Sequence, residues 1–295
     1  MDLWDLDETT KEVQHLSALT RLADLRLMTV ERYKLPASAL SGAQHLTRLE
    51  LDHCQEFEPG SLAGRTQLQH LEVLQHTAGG VAAAKLLLAE LQPLQQLTHL
   101  ELVDSLIPEG GMEDLESAED LPPAAAYSTL TASSKLHHLW VEACTVPLGV
   151  WEHIFPAGRQ LPHLRILDIN VEEILHYESY PEDRLQDLPA AAPEGSRLAS
   201  CCPGLQSLRL ALPKEEELPG GAEALLLQLT QLQQLTHLCL IHRRTWDLVC
   251  KVGAGVHTTC SVTAFCAVDV ILAGSLVGLQ PCVLLDITGV CVVRW

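Results

Sequence analysis

The chain has 295 residues, 47% of them hydrophobic but only 4% aromatic, and carries a formal net charge of −19. That length suits one long or two ordinary domains, with a core of Leu, Ala and Val rather than stacked rings. The charge argues against nucleic acid or an anionic membrane as the main partner, since both recruit Lys and Arg, and it is compatible with a basic protein partner.

The N-terminus, MDLWDLDETTKEVQHL, has neither a basic n-region nor an apolar h-region, so no secretory signal is read there. Ten cysteines without a single CxxC pair predict free thiols rather than a disulfide framework or a structural zinc. A phrase then recurs along the chain: QQLTHLEL at 95–102 returns as QQLTHLCL at 233–240. The underlying unit is L-x-x-L-x-L, and nine copies begin at Met1, Leu22, Leu46, Leu68, Leu97, Leu136, Leu164, Leu205 and Leu235. The clearest are LTRLELDHC (46–54), LQHLEVLQH (68–76), LTHLELVDS (97–105), LHHLWVEAC (136–144) and LRILDINVE (164–172).

Within x-L-x-L-x the residues alternate, which is strand periodicity. The fourth and sixth positions face a core; the third, fifth and seventh face solvent. Between strands the shorter units keep room for a turn, a return and another turn. Helical returns are expected where Gly-Gly precedes an Ala/Leu-rich stretch, at 79–97 and 220–235, with a shorter version at 38–46. A single unit cannot bury its Leu face alone, whereas stacked units bury it against each other, which predicts a curved solenoid.

On these nine copies, residues 1–245 resemble leucine-rich-repeat proteins, especially the irregular intracellular kind found in F-box proteins. The resemblance implies an α/β solenoid: a curved parallel sheet on the concave face, helices and loops on the convex face, and protein binding on the concave side. It also implies Asn, Cys, Thr or Ser at the ninth position, satisfying backbone groups at a buried turn. Thr9, Cys54, Ser105 and Cys144 fit; Val30, His76, Glu172, Pro213 and Arg243 depart, so less regular turns are expected in those units.

Two long gaps, near 103–135 and 175–204, are rich in Pro, Ala, Glu and Asp and are expected to be exposed, poorly ordered insertions; a shorter acidic loop lies at 213–221. From Trp246 the pattern stops. Residues 246–295 hold half of the cysteines and five charged residues, Asp247, Lys251, Asp269, Asp286 and Arg294. Three readings fit this hydrophobic tail. As a membrane anchor, the apolar run 262–280 has Asp269 near its middle, at a cost of about 3 kcal/mol. As a β-rich cap it has little polar outer face. The preferred reading is read-through sequence past a mispredicted gene end. Met1 falls at the start of a repeat strand with no capping helix before it, so the chain is expected to be part of a longer protein.

The third position recurs as His70, His99, His138 and His237. The first three should form a ladder at about 4.8 Å spacing. Beside them the fifth position carries Glu50, Glu72, Glu101, Trp140 and Asp168. Imidazoles next to carboxylates suit metal binding or acid–base work. A ladder, however, spreads ligands along a line instead of converging them, and duplication copies a residue without any demand for chemistry. Nucleophile-elbow, P-loop and dinucleotide signatures are missing from the sequence. The expectation is therefore no catalysis, no metal and no cofactor, with binding sensitive to pH between about 5 and 7.

The outward positions form instead an acidic, mixed binding strip. Its members are Arg48, Glu50 and Asp52; His70 and Glu72; His99 and Glu101; His138, Trp140 and Glu142; Asp168 and Asn170; and Arg209. Trp140, the one aromatic among them, suits either a hot spot or packing against the 103–135 insertion. The expected function is a non-catalytic scaffold, monomeric and cytoplasmic, binding another protein on the concave face. One alternative is a ubiquitin-ligase substrate receptor lacking its F-box. The others are an axonemal or cytoskeletal scaffold and a metal-dependent enzyme using the His ladder.

Overall fold

The computed structural model describes residues 2–4, 14–28, 33–74, 80–106, 122–142, 144, 146–147, 149–170, 195–212, 228–248, 260–271, 282–285 and 291–294. Its centre is a ten-stranded sheet. In chain order this contains β1 (Asp2–Trp4), β2 (Asp24–Met28), β4 (Arg48–Asp52), β6 (His70–Leu74), β7 (His99–Val103) and β8 (His138–Glu142). It continues with β9 (Ile166–Asn170), β10 (Ser207–Leu212), β11 (His237–Leu248) and β12 (Cys260–Ile271). From β1 to β11 each of these strands pairs in parallel with the next along the chain, and β12 adds antiparallel to β11. Two further sheets have two strands each: β3 (Tyr33–Leu35) beside β5 (Cys54–Phe57), parallel, and β13 (Cys282–Leu285) beside β14 (Cys291–Arg294), antiparallel. The architecture is α/β, built on an open, mostly parallel sheet.

Alternation makes the strands. In β4, β6, β7 and β8 burial switches at every residue. Leu49 and Leu51, Leu71 and Val73, Leu100 and Leu102, and Leu139 and Val141 all point into one continuous core. The intervening polar residues take the opposite face.

The chain enters these strands the same way each time. The first Leu of the unit donates its N–H to the carbonyl three residues back: Leu46 to Ala43, Leu68 to Arg65, Leu97 to Leu94, Leu136 to Ser133, Leu164 to Leu161, Leu205 to Cys202 and Leu235 to Leu232, at 3.0–3.4 Å. The second residue then offers its carbonyl to two successive N–H groups of the following strand segment. Thus Thr47 O accepts from Gln69 and His70, Gln69 O from Thr98 and His99, and Thr98 O from His137 and His138. Where that second residue is Thr, its hydroxyl donates back to the corresponding carbonyl of the preceding segment: Thr47 to Ala23, Thr98 to Gln69 and Thr236 to Gln206.

The exits repeat as well. His53 and Asp104 occupy equivalent positions, take left-handed φ of 58° and 50°, and donate to Leu74 O and Glu142 O. At the ninth position the Ser105 hydroxyl meets Val73 O at 2.6 Å and Val103 O at 2.7 Å, and the Cys144 thiol meets Glu142 O at 3.1 Å. Cys54 is buried; Thr9, Val30, His76, Glu172 and Pro213 lie outside the described residues.

Short helices return the chain on the other side: α1 (Gly80–Leu91), α2 (Val150–Ile154) and α3 (Gly195–Cys201), with the 3-10 turns η1 (Gln14–Ala18) and η2 (Ala124–Thr131). In α1, Ala83, Ala84, Leu87, Leu88 and Leu91 are buried, a helical stripe at three- and four-residue spacing. Glu90 is buried too, and its carboxylate accepts the N–H groups of Gly60 and Leu62 in the preceding turn.

The stretch expected as an exposed insertion at 103–135 is different at its C-terminal end. Tyr127 and Leu130 of η2 are buried, and the Thr131 hydroxyl donates to Ile154 O at 2.7 Å. Likewise α3, from the second expected insertion, buries Leu198 and Cys201. Residues 107–121 and 171–194 lie outside the described residues. No helix among the described residues is long and apolar enough to cross a membrane. Of the apolar run 262–280, residues up to Ile271 belong to β12 and the rest lies outside the described residues.

Candidate functional site

Parallel pairing without register shifts places every third-position residue beside the next. The row runs Asp24, Arg48, His70, His99, His138, Ile166, Ser207, His237. The fifth-position row runs Arg26, Glu50, Glu72, Glu101, Trp140, Asp168, Arg209, Cys239. A seventh-position row contains Asp52, Leu74, Val103, Glu142 and Asn170. All thirteen residues assigned to the binding strip from sequence therefore fall in these three rows, on strands β4 to β10.

The rows interact as a network. Glu50 is its N-terminal hub: Arg26 reaches Oε2 at 2.9 Å and Arg48 reaches Oε1. The His70 and His99 rings stack with centroids 4.1 Å apart and planes 12° apart; His99 and His138 meet edge-on at 4.2 Å. His70 Nε2 lies 3.6 Å from Glu72 Oε2, and His99 Nε2 lies 3.5 Å from Glu101 Oε2. His70 holds the Glu72 carboxyl below its ordinary range, against the opposing effect of burial; at 3.6 Å we read this contact as electrostatic rather than as a formed hydrogen bond. Burial, then the neighbouring His99 and His70, push His138 down to about 4.

At the other end, Trp140 donates its indole N–H to Glu142 Oε2 at 2.8 Å, which fixes the ring on the face. Asp168 Oδ2 takes the Arg209 guanidinium at 3.2 Å, while Oδ1 is buried without a hydrogen-bond partner. Burial raises the Asp168 carboxyl to about 6 even though Arg209 pulls it down.

One sequence expectation changes here. The ladder was expected to spread potential metal ligands along a line, yet Glu50, His70 and Glu72 bring one ligand atom each within 4.8 Å of one another. Glu50 and Glu72 are direct partners across β4 and β6, and His70 lies two residues before Glu72 on the same face of β6. Both oxygens of Glu50 nonetheless already contact guanidinium groups, so a cation there competes with Arg26 and Arg48.

Sequence reasoning missed two kinds of residue. Ile166 occupies the third-position row beside His138 and is 41% exposed, so it adds an apolar element next to Trp140. The L-x-x-L-x-L register itself was the signal for it. Leu74 and Val103, both half-buried, add apolar surface in the seventh row by the same logic. No family model matches the chain, and no curated protein matches it; the functional reading rests on the geometry of this face.

Proposed function

We propose that the chain is a leucine-rich-repeat solenoid of the irregular intracellular kind, and that the polar face of its sheet is a concave surface binding a partner protein without catalysis. The observation carrying this reading is the set of in-register rows that present Trp140 and the exposed Ile166 among Glu101, Glu142 and Asp168 on one sheet face. The recurrent strand entries and the ninth-position contacts of Ser105 and Cys144 support the repeat reading. A rigid sheet presents its side chains without first ordering a flexible segment, which lowers the entropic cost of association. An aromatic ring held by its own hydrogen bond is a suitable anchor. In this reading the protein works as a cytoplasmic monomer and needs no cofactor.

The test is affinity purification with the full chain, wild type against Trp140→Ala, read by quantitative mass spectrometry. Partners of this face should fall at least about tenfold in the variant, the loss of a hot-spot side chain. Equal recovery of the same proteins by both baits contradicts the reading.

A further inference from the structure

We infer that the segment recognised by this face is a basic, extended stretch of the partner, with Lys or Arg residues set within about four residues of an apolar anchor; this rests on the face being a protein-binding surface. The argument is one of charge and spacing. The two ends of the strip carry their own guanidinium counter-charges: Arg26 and Arg48 on Glu50, and Arg209 on Asp168. The middle is built differently. Glu72 and Glu101, on adjacent strands, contact the imidazoles of His70 and His99. Histidine is not a permanent cation as Lys and Arg are. The centre of the strip therefore keeps an excess of negative charge in a chain whose net charge is already −19.

These carboxylates are also well placed to act on a partner. Glu72 and Glu101 side chains are 21% and 14% exposed, so they are reachable from solvent and yet sit largely within the face. Charges in that setting are screened less than fully exposed ones.

The spacing sets the length of the segment. Neighbouring strands lie about 4.8 Å apart, so the path from Glu72 on β6 to Trp140 on β8 covers about 10 Å, and to Ile166 on β9 about 14 Å. An extended chain advances about 3.3 Å per residue, so three to four residues separate the part over the carboxylates from the part over Trp140 and Ile166. A partner side chain of Leu or Phe size would cover the Ile166 side chain, which is 41% exposed.

The experiment is a peptide array of random ten-residue sequences probed with the purified full chain. The strongest binder is then measured by fluorescence anisotropy against wild type, Glu72→Gln/Glu101→Gln, Glu72→Lys/Glu101→Lys and Trp140→Ala. The expected binders are enriched in Lys or Arg near Leu, Ile or Phe. Affinity should weaken about tenfold in the Gln double variant and with salt raised from 0.05 to 0.5 M. The Lys double variant should gain affinity for a matched peptide in which each Lys is replaced by Glu, a gain that an unfolded variant cannot give. Binders that lose affinity with Trp140→Ala but ignore both double variants and salt overturn this inference while leaving the face as a binding surface. Binders indifferent to all three variants overturn both.

Discussion

Asp168 and His138 sit on neighbouring strands and respond to burial in opposite ways. Burial raises the Asp168 carboxyl from 3.8 to about 6, so the folded chain keeps a proton that the unfolded chain has lost. Its contribution to stability therefore falls as pH rises from about 4 to about 6. His138 is lowered from 6.5 to about 4, so the folded chain refuses a proton that the unfolded chain takes. Its contribution is present above pH 6.5 and is lost as pH falls toward 4. The two effects oppose each other over nearly the same window. Removing one should unmask the other. Relative to wild type, Asp168→Asn should lose urea resistance on going from pH 6.5 to 4, and His138→Gln should gain it. Parallel urea-midpoint profiles for all three proteins would contradict this account. Neither shift was legible in the sequence, which gives the residue types and their row. How far each side chain is desolvated depends on neighbours from strands 28 or more residues away.

At the scale of the element, the strands were legible and their joints were not. Apolar residues at the fourth and sixth positions of each unit, most often Leu, produce a two-residue period that only a strand uses, and burial in β4, β6, β7 and β8 follows it residue by residue. The entry turn is defined by a backbone hydrogen bond whose acceptor residue is Ala43, Arg65, Leu94, Ser133, Leu161, Cys202 or Leu232. Three of the seven are Leu and the others are Ala, Arg, Ser and Cys, so no single residue type announces the turn. The η2 turn hid behind the Pro and Ala content of its surroundings, which reads as loop, while the burial of Tyr127 and Leu130 comes from packing against α1 and α2. Glu90 is the sharpest case. A Glu in an Ala/Leu-rich helix is ordinarily solvated, but here it holds the Gly60 and Leu62 N–H groups of another segment. Glu90→Ala leaves the buried Leu62 donor and the half-buried Gly60 donor unpaired and should cost about 1.5–3 kcal/mol by urea denaturation. A loss below about 0.5 kcal/mol, the range of ordinary surface changes, would show that the carboxylate does not hold that turn.

For the molecule as a whole, the order of strands in the sheet follows the order of units in the chain, from β1 to β11. That correspondence is what turns a sequence repeat into aligned rows of side chains. It also explains why the alignment of thirteen residues in three rows was legible in the sequence: identical offsets in each unit become neighbours across the sheet. Beyond Trp246 the pattern gave no such handle, because the apolar run there has neither the Leu spacing nor the charge alternation that assigns faces. The central claim, that this sheet face is where a partner binds, is tested most directly by carboxyl footprinting with mass spectrometry on the chain alone and with its best-binding peptide. The account predicts protection at Glu72, Glu101 and Glu142, with Glu152 on α2, whose side chain is 69% exposed, labelled equally in both states. Protection at Glu152 with unchanged labelling at Glu72 and Glu101 would put the partner on the helical side and contradict it.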